Sequence, residues 1–132
     1  MILKYTVRGD PRTKKNSQMI VGSGPRCPRC GKFDRQWIRQ SEAYKSYAEA
    51  ASWQLRPRPK DPISRPVTVR YLFYMKTRRK VDMVNLIEAM NDILVARGIL
   101  ADDNASIIVS HDGSRVLYDK DDPRVEIEIE EV

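Results

Sequence analysis

Residues 82–97, DMVNLIEAMNDILVAR, constrain this chain more than any other stretch. Leu86, Ala89, Met90, Ile93 and Leu94 recur at helical spacing and form one apolar stripe. Asp82 is a natural N-cap and Gly98 a natural stop, so both ends of the helix are written locally. Such a helix must bury its stripe, and the segment just before it offers the surface. VTVRYLFYM, residues 67–75, is apolar enough for a central strand. A second helix is expected in SEAYKSYAEAASWQL, where Tyr44, Tyr47, Ala48, Ala51 and Leu55 share a face and Ser41 can cap. The proline-rich RPRPKDPISRP after it breaks regular structure and serves as a linker. ILKYTV, ASIIVSHD and RVEIEIE read as further strands. In the last of these, Val125, Ile127 and Ile129 alternate with charges, so one face is wet. The expected fold is α+β, two helices packed on one mixed sheet, in the order β-α-β-α-β-β.

A length of 132 residues fits a single domain, 1–132, with one modest core. Residues 9–36, rich in Gly, Pro and basic side chains, are expected to form a long loop that carries both cysteines. No run of about 18 apolar residues exists to span a membrane. The start MILKYTVRGD lacks the layout of a signal peptide, so a cytoplasmic protein is expected.

The net charge of +6 is unevenly placed. Residues 1–80 hold 20 Lys/Arg against 5 Asp/Glu, a balance of +15; residues 81–132 hold 4 against 13, a balance of −9. A basic half favours a polyanion through counterion release. The acidic half would repel it unless a cation or folded-in basic groups neutralise it. The tail DKDDPRVEIEIEEV reads as a solvated edge. The helix is different: Asn85, Glu88 and Asp92 lie near one side, and the turn after Gly98 can return Asp102 and Asp103. Two readings stand side by side. One is a hard-cation site, since Mg²⁺ takes oxygen ligands and relieves repulsion between carboxylates. The other is a cap, two turn residues and a wet helix face.

The stretch RRKVDMVNLIEAMNDILVARGILADDN resembles the central motif of the RusA family of Holliday junction resolvases. Asp82, Asn85, Leu86, Asp92, Leu94, Gly98, Asp102 and Asp103 fit that pattern without gaps. GDPRTKKN is similar to the family's early loop, and QSEAYKSYAEAA to its first helix. The resemblance covers most of the chain apart from the cysteine-bearing insert. It implies a homodimeric endonuclease that cuts four-way DNA junctions with Mg²⁺, or Mn²⁺ in its place. It also implies Asp82 and Asp103 as metal ligands, with Asp102 beside them.

Two positions depart from the pattern. Val84 stands where the family has its second catalytic Asp, and Glu88 where it has a helical Lys. Glu88 lies one turn from Val84 on the same face, so its longer side chain could return a carboxylate to that point. The expected catalytic set is therefore Asp82, Glu88, Asp102 and Asp103, with Asp82, Glu88 and Asp103 on Mg²⁺. Lys76, Arg78, Arg79 or Lys80 would replace the lost cation. The alternative is a branched-DNA-binding module that no longer cuts. A third reading is a protein-interaction domain that docks through its cysteines and acidic tail.

CPRCGK carries the two cysteines, Cys27 and Cys30, in the shape of half a zinc site. Closed structural zinc needs four ligands. Two knuckles meeting across a dimer, or non-Cys ligands, would complete the set; two free thiols are the plain alternative. Lys14, Lys15, Arg26, Arg29 and Lys32 around them, with the run Lys76 to Lys80, are the expected phosphate contacts. Phe33 or Trp37 could stack on an unpaired base, or anchor the loop to the core. His111, the single histidine, is expected to be structural.

Overall fold

The computed structural model describes residues 2–14, 18–26, 28–29, 33–40 and 42–132, with the backbone alone for 18–26 and 33–40. The elements in chain order are β1 (Ile2–Arg8), β2 (Gln18–Arg26), β3 (Phe33–Gln40), α1 (Glu42–Gln54), β4 (Val67–Met75), α2 (Met83–Arg97), β5 (Ile108–Ser110), β6 (Arg115–Tyr118) and β7 (Arg124–Glu131). The architecture is α+β: two helices lie against a mixed five-stranded sheet ordered β1-β7-β4-β5, with β6 also on β4.

Strand β7 is antiparallel to both neighbours, so Ile127 faces Tyr5 on one side and Tyr71 on the other. Alternation then sorts the faces. Val67, Val69, Tyr71 and Phe73 of β4 and Val125, Ile127 and Ile129 of β7 are buried. They meet Tyr47, Ala51 and Leu55 from α1 and its end, and Leu86, Met90, Ile93 and Leu94 from α2. The opposite face is laced with charge pairs, including Arg70–Glu128 at 3.0 Å and Arg124–Asp119 at 2.8 Å.

Two regions differ from the sequence expectation. The segment expected as a loop at 9–36 contains β2 and β3, an antiparallel hairpin that continues to Gln40. Its register shifts between Ser23 and Arg26, the stretch holding Gly24 and Pro25. A proline that cannot donate to a ladder is tolerated at such an irregularity, so the breakers bend the hairpin without ending it. The expected strand at 105–112 is cut to three residues and resumes as β6, also beside β4 and parallel to it. Side chains replace the ladder across the gap: the Tyr71 N–H donates to Ser114 Oγ at 3.1 Å, and the His111 ring pairs with the Val69 carbonyl at 2.8 Å. Gly113 turns the chain there at φ +83°, and a Cβ on it would lie 2.9 Å from Arg70 Cδ. The Ser41 cap of α1 lies outside the described residues. None of the described helices is long and apolar enough to cross a membrane.

Candidate active site

Helix α2 is held at both ends as its sequence dictates. Asp82 is extended (φ −89°, ψ 117°), and its Oδ1 accepts from the Val84 N–H at 3.0 Å. Gly98 is left-handed (φ 84°) and closes the last turn through the Val95 carbonyl at 3.0 Å. Beyond it, Ile99 and Leu100 enter the core. The proline-rich linker holds them there: the Ile63 N–H donates to the Ile99 carbonyl and the Ala101 N–H to the Ile63 carbonyl, each at 2.9 Å. Asp102 and Asp103 emerge next, both exposed. Two segments remote in sequence thus fix where the acidic pair leaves the core.

The two aspartates differ in proton affinity. Asp102 accepts the Asp103 N–H at 2.7 Å and the Asn104 amide at 3.1 Å, which holds its carboxyl below the usual range. Partial desolvation, a bond to Asp102, and the charges of Asp92 and Asp102 hold Asp103 above it. Asp92 therefore belongs with this pair. Its carboxylate is ion-paired with the ammonium of Lys14, from the segment between β1 and β2. Burial, and then the Asp92 charge, push the Tyr44 hydroxyl up to about 12.

Behind these acids lies a satisfied polar chain. The Tyr71 hydroxyl, buried in β4, donates to Asn91 Oδ1 at 2.6 Å. The Asn91 amide lies 3.4 Å from His111 Nε2, and His111 Nδ1 faces the Val69 carbonyl. With the proton on Nδ1, every group in the chain has a partner of the right kind. His111 is structural, as expected: it ties α2 to the gap between β5 and β6.

The remaining expected residues are placed as follows. Val84 is 64% exposed at the start of α2, and Glu88, one turn on, is also exposed. Among the described residues no three His, Cys, Asp or Glu side chains are grouped to hold a metal ion, so Asp82, Glu88 and Asp103 are not gathered as placed. The donor chemistry nonetheless suits a hard cation. Asp103 bears a repulsion that such an ion relieves, and Mg²⁺ needs only one or two carboxylates beside water and phosphate. Lys76, Arg78, Arg79 and Lys80 are all exposed. The Lys76 N–H donates to Asp10 at 3.0 Å, joining this run to the segment that carries Lys14. Arg12 and Arg79 line a cavity of about 200 Å³ with Asp10, Thr13 and Thr77. Arg29 is exposed. Lys15, Lys32, Cys27, Cys30 and the side chain of Arg26 lie outside the described residues, as do the side chains of Phe33 and Trp37.

Sequence reasoning missed the partnership of Lys14 with Asp92 and the coupling of Asp92 to Asp103. The one signal was the placement of Asp92 on the Glu88 side of the helix.

The placement of an acid-bearing helix, a following Asp-Asp turn and a preceding basic run agrees with comparison to known families. The family model described as Endodeoxyribonuclease RusA matches residues 24–130. No curated protein matches the sequence. The match takes in α2, its two flanking segments and most of the sheet, and the chain belongs to the RusA endodeoxyribonuclease family.

Proposed function

We propose that this chain is a divalent-metal-dependent endonuclease that resolves four-way or other branched DNA by paired phosphodiester hydrolysis. The observation that carries the reading is the ion pair of Lys14, from the basic half, with Asp92 on α2, the helix whose end leads into the Asp102–Asp103 turn. Asp92, Asp102 and Asp103 lie inside the segment matched to the endonuclease family, and Lys14 precedes it.

Asp82 and Asp103 would hold Mg²⁺ or Mn²⁺, with Glu88 supplying the carboxylate that Val84 cannot. Bound there, the ion supplies Lewis acidity toward a phosphate oxygen and lowers the pKa of a water. The chain's own residues do the rest. Asp102, whose ionised form is favoured by the Asp103 N–H and the Asn104 amide, stands beside Asp103 as a further carboxylate of the site. Lys14, within the acidic group, can turn from Asp92 to a phosphate oxygen as negative charge builds there. Lys76, Arg78, Arg79 and Lys80 hold the flanking backbone. Paired cuts need two sites, which a two-fold homodimer supplies. Zinc at Cys27 and Cys30 belongs to the same proposal, since two copies of the pair complete a four-thiolate site.

A second reading is a binding module without turnover. It is favoured by Val84 in place of the family Asp and by Asp82, Glu88 and Asp103 not being gathered as placed. An immobile synthetic four-way junction with Mg²⁺, beside linear duplex and EDTA controls, decides between the two. Paired symmetric nicks that vanish with EDTA and in Asp103→Asn, with binding kept, support the nuclease. Loss in Glu88→Gln as well places the second carboxylate at Glu88. Tight binding without nicks in Mg²⁺ or Mn²⁺ establishes the binding module.

A further inference from the structure

We propose that the outer edge of β6 is a nucleobase-binding platform, built on Tyr118 and Arg78, that takes an unpaired base of the DNA. The inference rests on the reading above only for the nature of the partner.

Strand β6 pairs with β4 through Leu72 to Met75 and with no other strand among the described residues. Its sequence, Arg-Val-Leu-Tyr, would suit a core, yet Val116, Leu117 and Tyr118 are 37%, 37% and 39% exposed. An exposed apolar edge is a liability unless something covers it. These residues line an open cavity of about 470 Å³ with Met75, Thr77, Arg78 and Arg79. The Arg78 guanidinium lies over the Tyr118 ring, 4.2 Å from its centroid. The lining combines a ring, a stacked guanidinium, a second guanidinium, two aliphatic side chains, a thioether and a hydroxyl, with no acidic group among the described residues.

That composition suits one class of ligand. A nucleobase presents a flat π-face to a ring or a guanidinium plane and carries its phosphate beside it for Arg79. Paired bases keep their faces inside the duplex, so the platform selects an unstacked base such as a branch point provides. A second copy fits less well. A two-fold contact through β6 would bring the Arg78 and Arg79 charges of both copies to one seam, and like charges across a contact are unfavourable. Arg78 and Arg79 also lead directly into the Asp82 cap, so a base held here lies beside the proposed site in the chain.

The test is anisotropy binding of a labelled 12-residue thymidine oligonucleotide and a matched oligonucleotide of abasic residues, in EDTA so that cleavage plays no part. The wild-type protein should prefer the base-bearing strand by roughly 5- to 100-fold. Tyr118→Ala should lose that preference and Tyr118→Phe should keep it, each with the wild-type circular dichroism spectrum. An unchanged preference in Tyr118→Ala overturns the proposal, as does equal wild-type binding of the two strands. Conversion of a dimer to a monomer by Tyr118→Ala in sedimentation also overturns it and gives the edge to a second copy. A protein that shows the base preference but never nicks a junction refutes the nuclease and leaves the platform standing.

Discussion

Replacing Asp82 separates its two roles, because the side chain is both a helix cap and a proposed metal ligand. The cap is the bond from the Val84 N–H to Oδ1 at 3.0 Å. Asparagine caps about as well as aspartate, so Asp82→Asn keeps that bond. It loses only the favourable charge at the helix N-terminus, about 0.3–1 kcal/mol. Asp82→Ala loses the cap itself, about 1 kcal/mol, or roughly 3–6 °C in Tm for a chain of this size. Either loss is small against a typical domain stability of about 5–15 kcal/mol, so both variants remain folded. A fall in turnover therefore cannot come from unfolding. Removing one electrostatic group from a phosphoryl site should lower the nicking rate at least ~100-fold in both variants, with junction affinity kept. The assay is single-turnover nicking of a labelled junction, with binding by anisotropy and stability by urea unfolding on the same samples. If Asp82→Asn nicks at the wild-type rate while Asp82→Ala is merely less stable, Asp82 is a cap alone and the ligand assignment is refuted.

Two further predictions concern the frame behind the site. Tyr71→Phe leaves Asn91 Oδ1 buried without its donor and should cost about 1–3 kcal/mol, as should Asn91→Leu, whereas the double variant should cost clearly less than their sum. A urea double-mutant cycle reads this, and simple additivity would show that the hydroxyl and the amide do not depend on each other. The second is alkaline: burial holds the hydroxyls of Tyr5, Tyr44, Tyr47 and Tyr71 above their ordinary value. The folded state then binds these protons more tightly than the unfolded chain, so the stabilisation is complete below pH ~10 and drains away as pH rises toward and beyond the native values, with Tyr44 at about 12. Absorbance at 295 nm and circular dichroism should change together over that range; full tyrosinate absorbance at pH 10.5 with an intact fold would contradict it.

How much was legible in the sequence follows from the range of the interactions involved. Helix α2 was readable to its ends because Asp82, Gly98 and the stripe from Leu86 to Leu94 act within a few turns. Strand β7 was readable because its period of two is matched by burial on one face, and β4 because its apolar content suits a strand with neighbours on both sides. The β2–β3 hairpin was hidden by Gly24 and Pro25, whose breaking effect is absorbed at a shift in register. The gap between β5 and β6 was hidden too, because His111 and Ser114 satisfy β4 with side chains rather than backbone.

The same division runs through the site. Local pattern determined which residues are acidic, which are basic, and that one helix carries several of the acids. Only the tertiary structure decided that Lys14 crosses 78 residues of chain to reach Asp92, that Asp92 acts on Asp103, and that Tyr118 comes under Arg78. Hydrogen bonds from Ile63 and the burial of Ile99 and Leu100 set where the Asp102–Asp103 turn emerges. Periodicity reports which face of an element is buried; the meeting of charges from separate elements depends on how those faces pack.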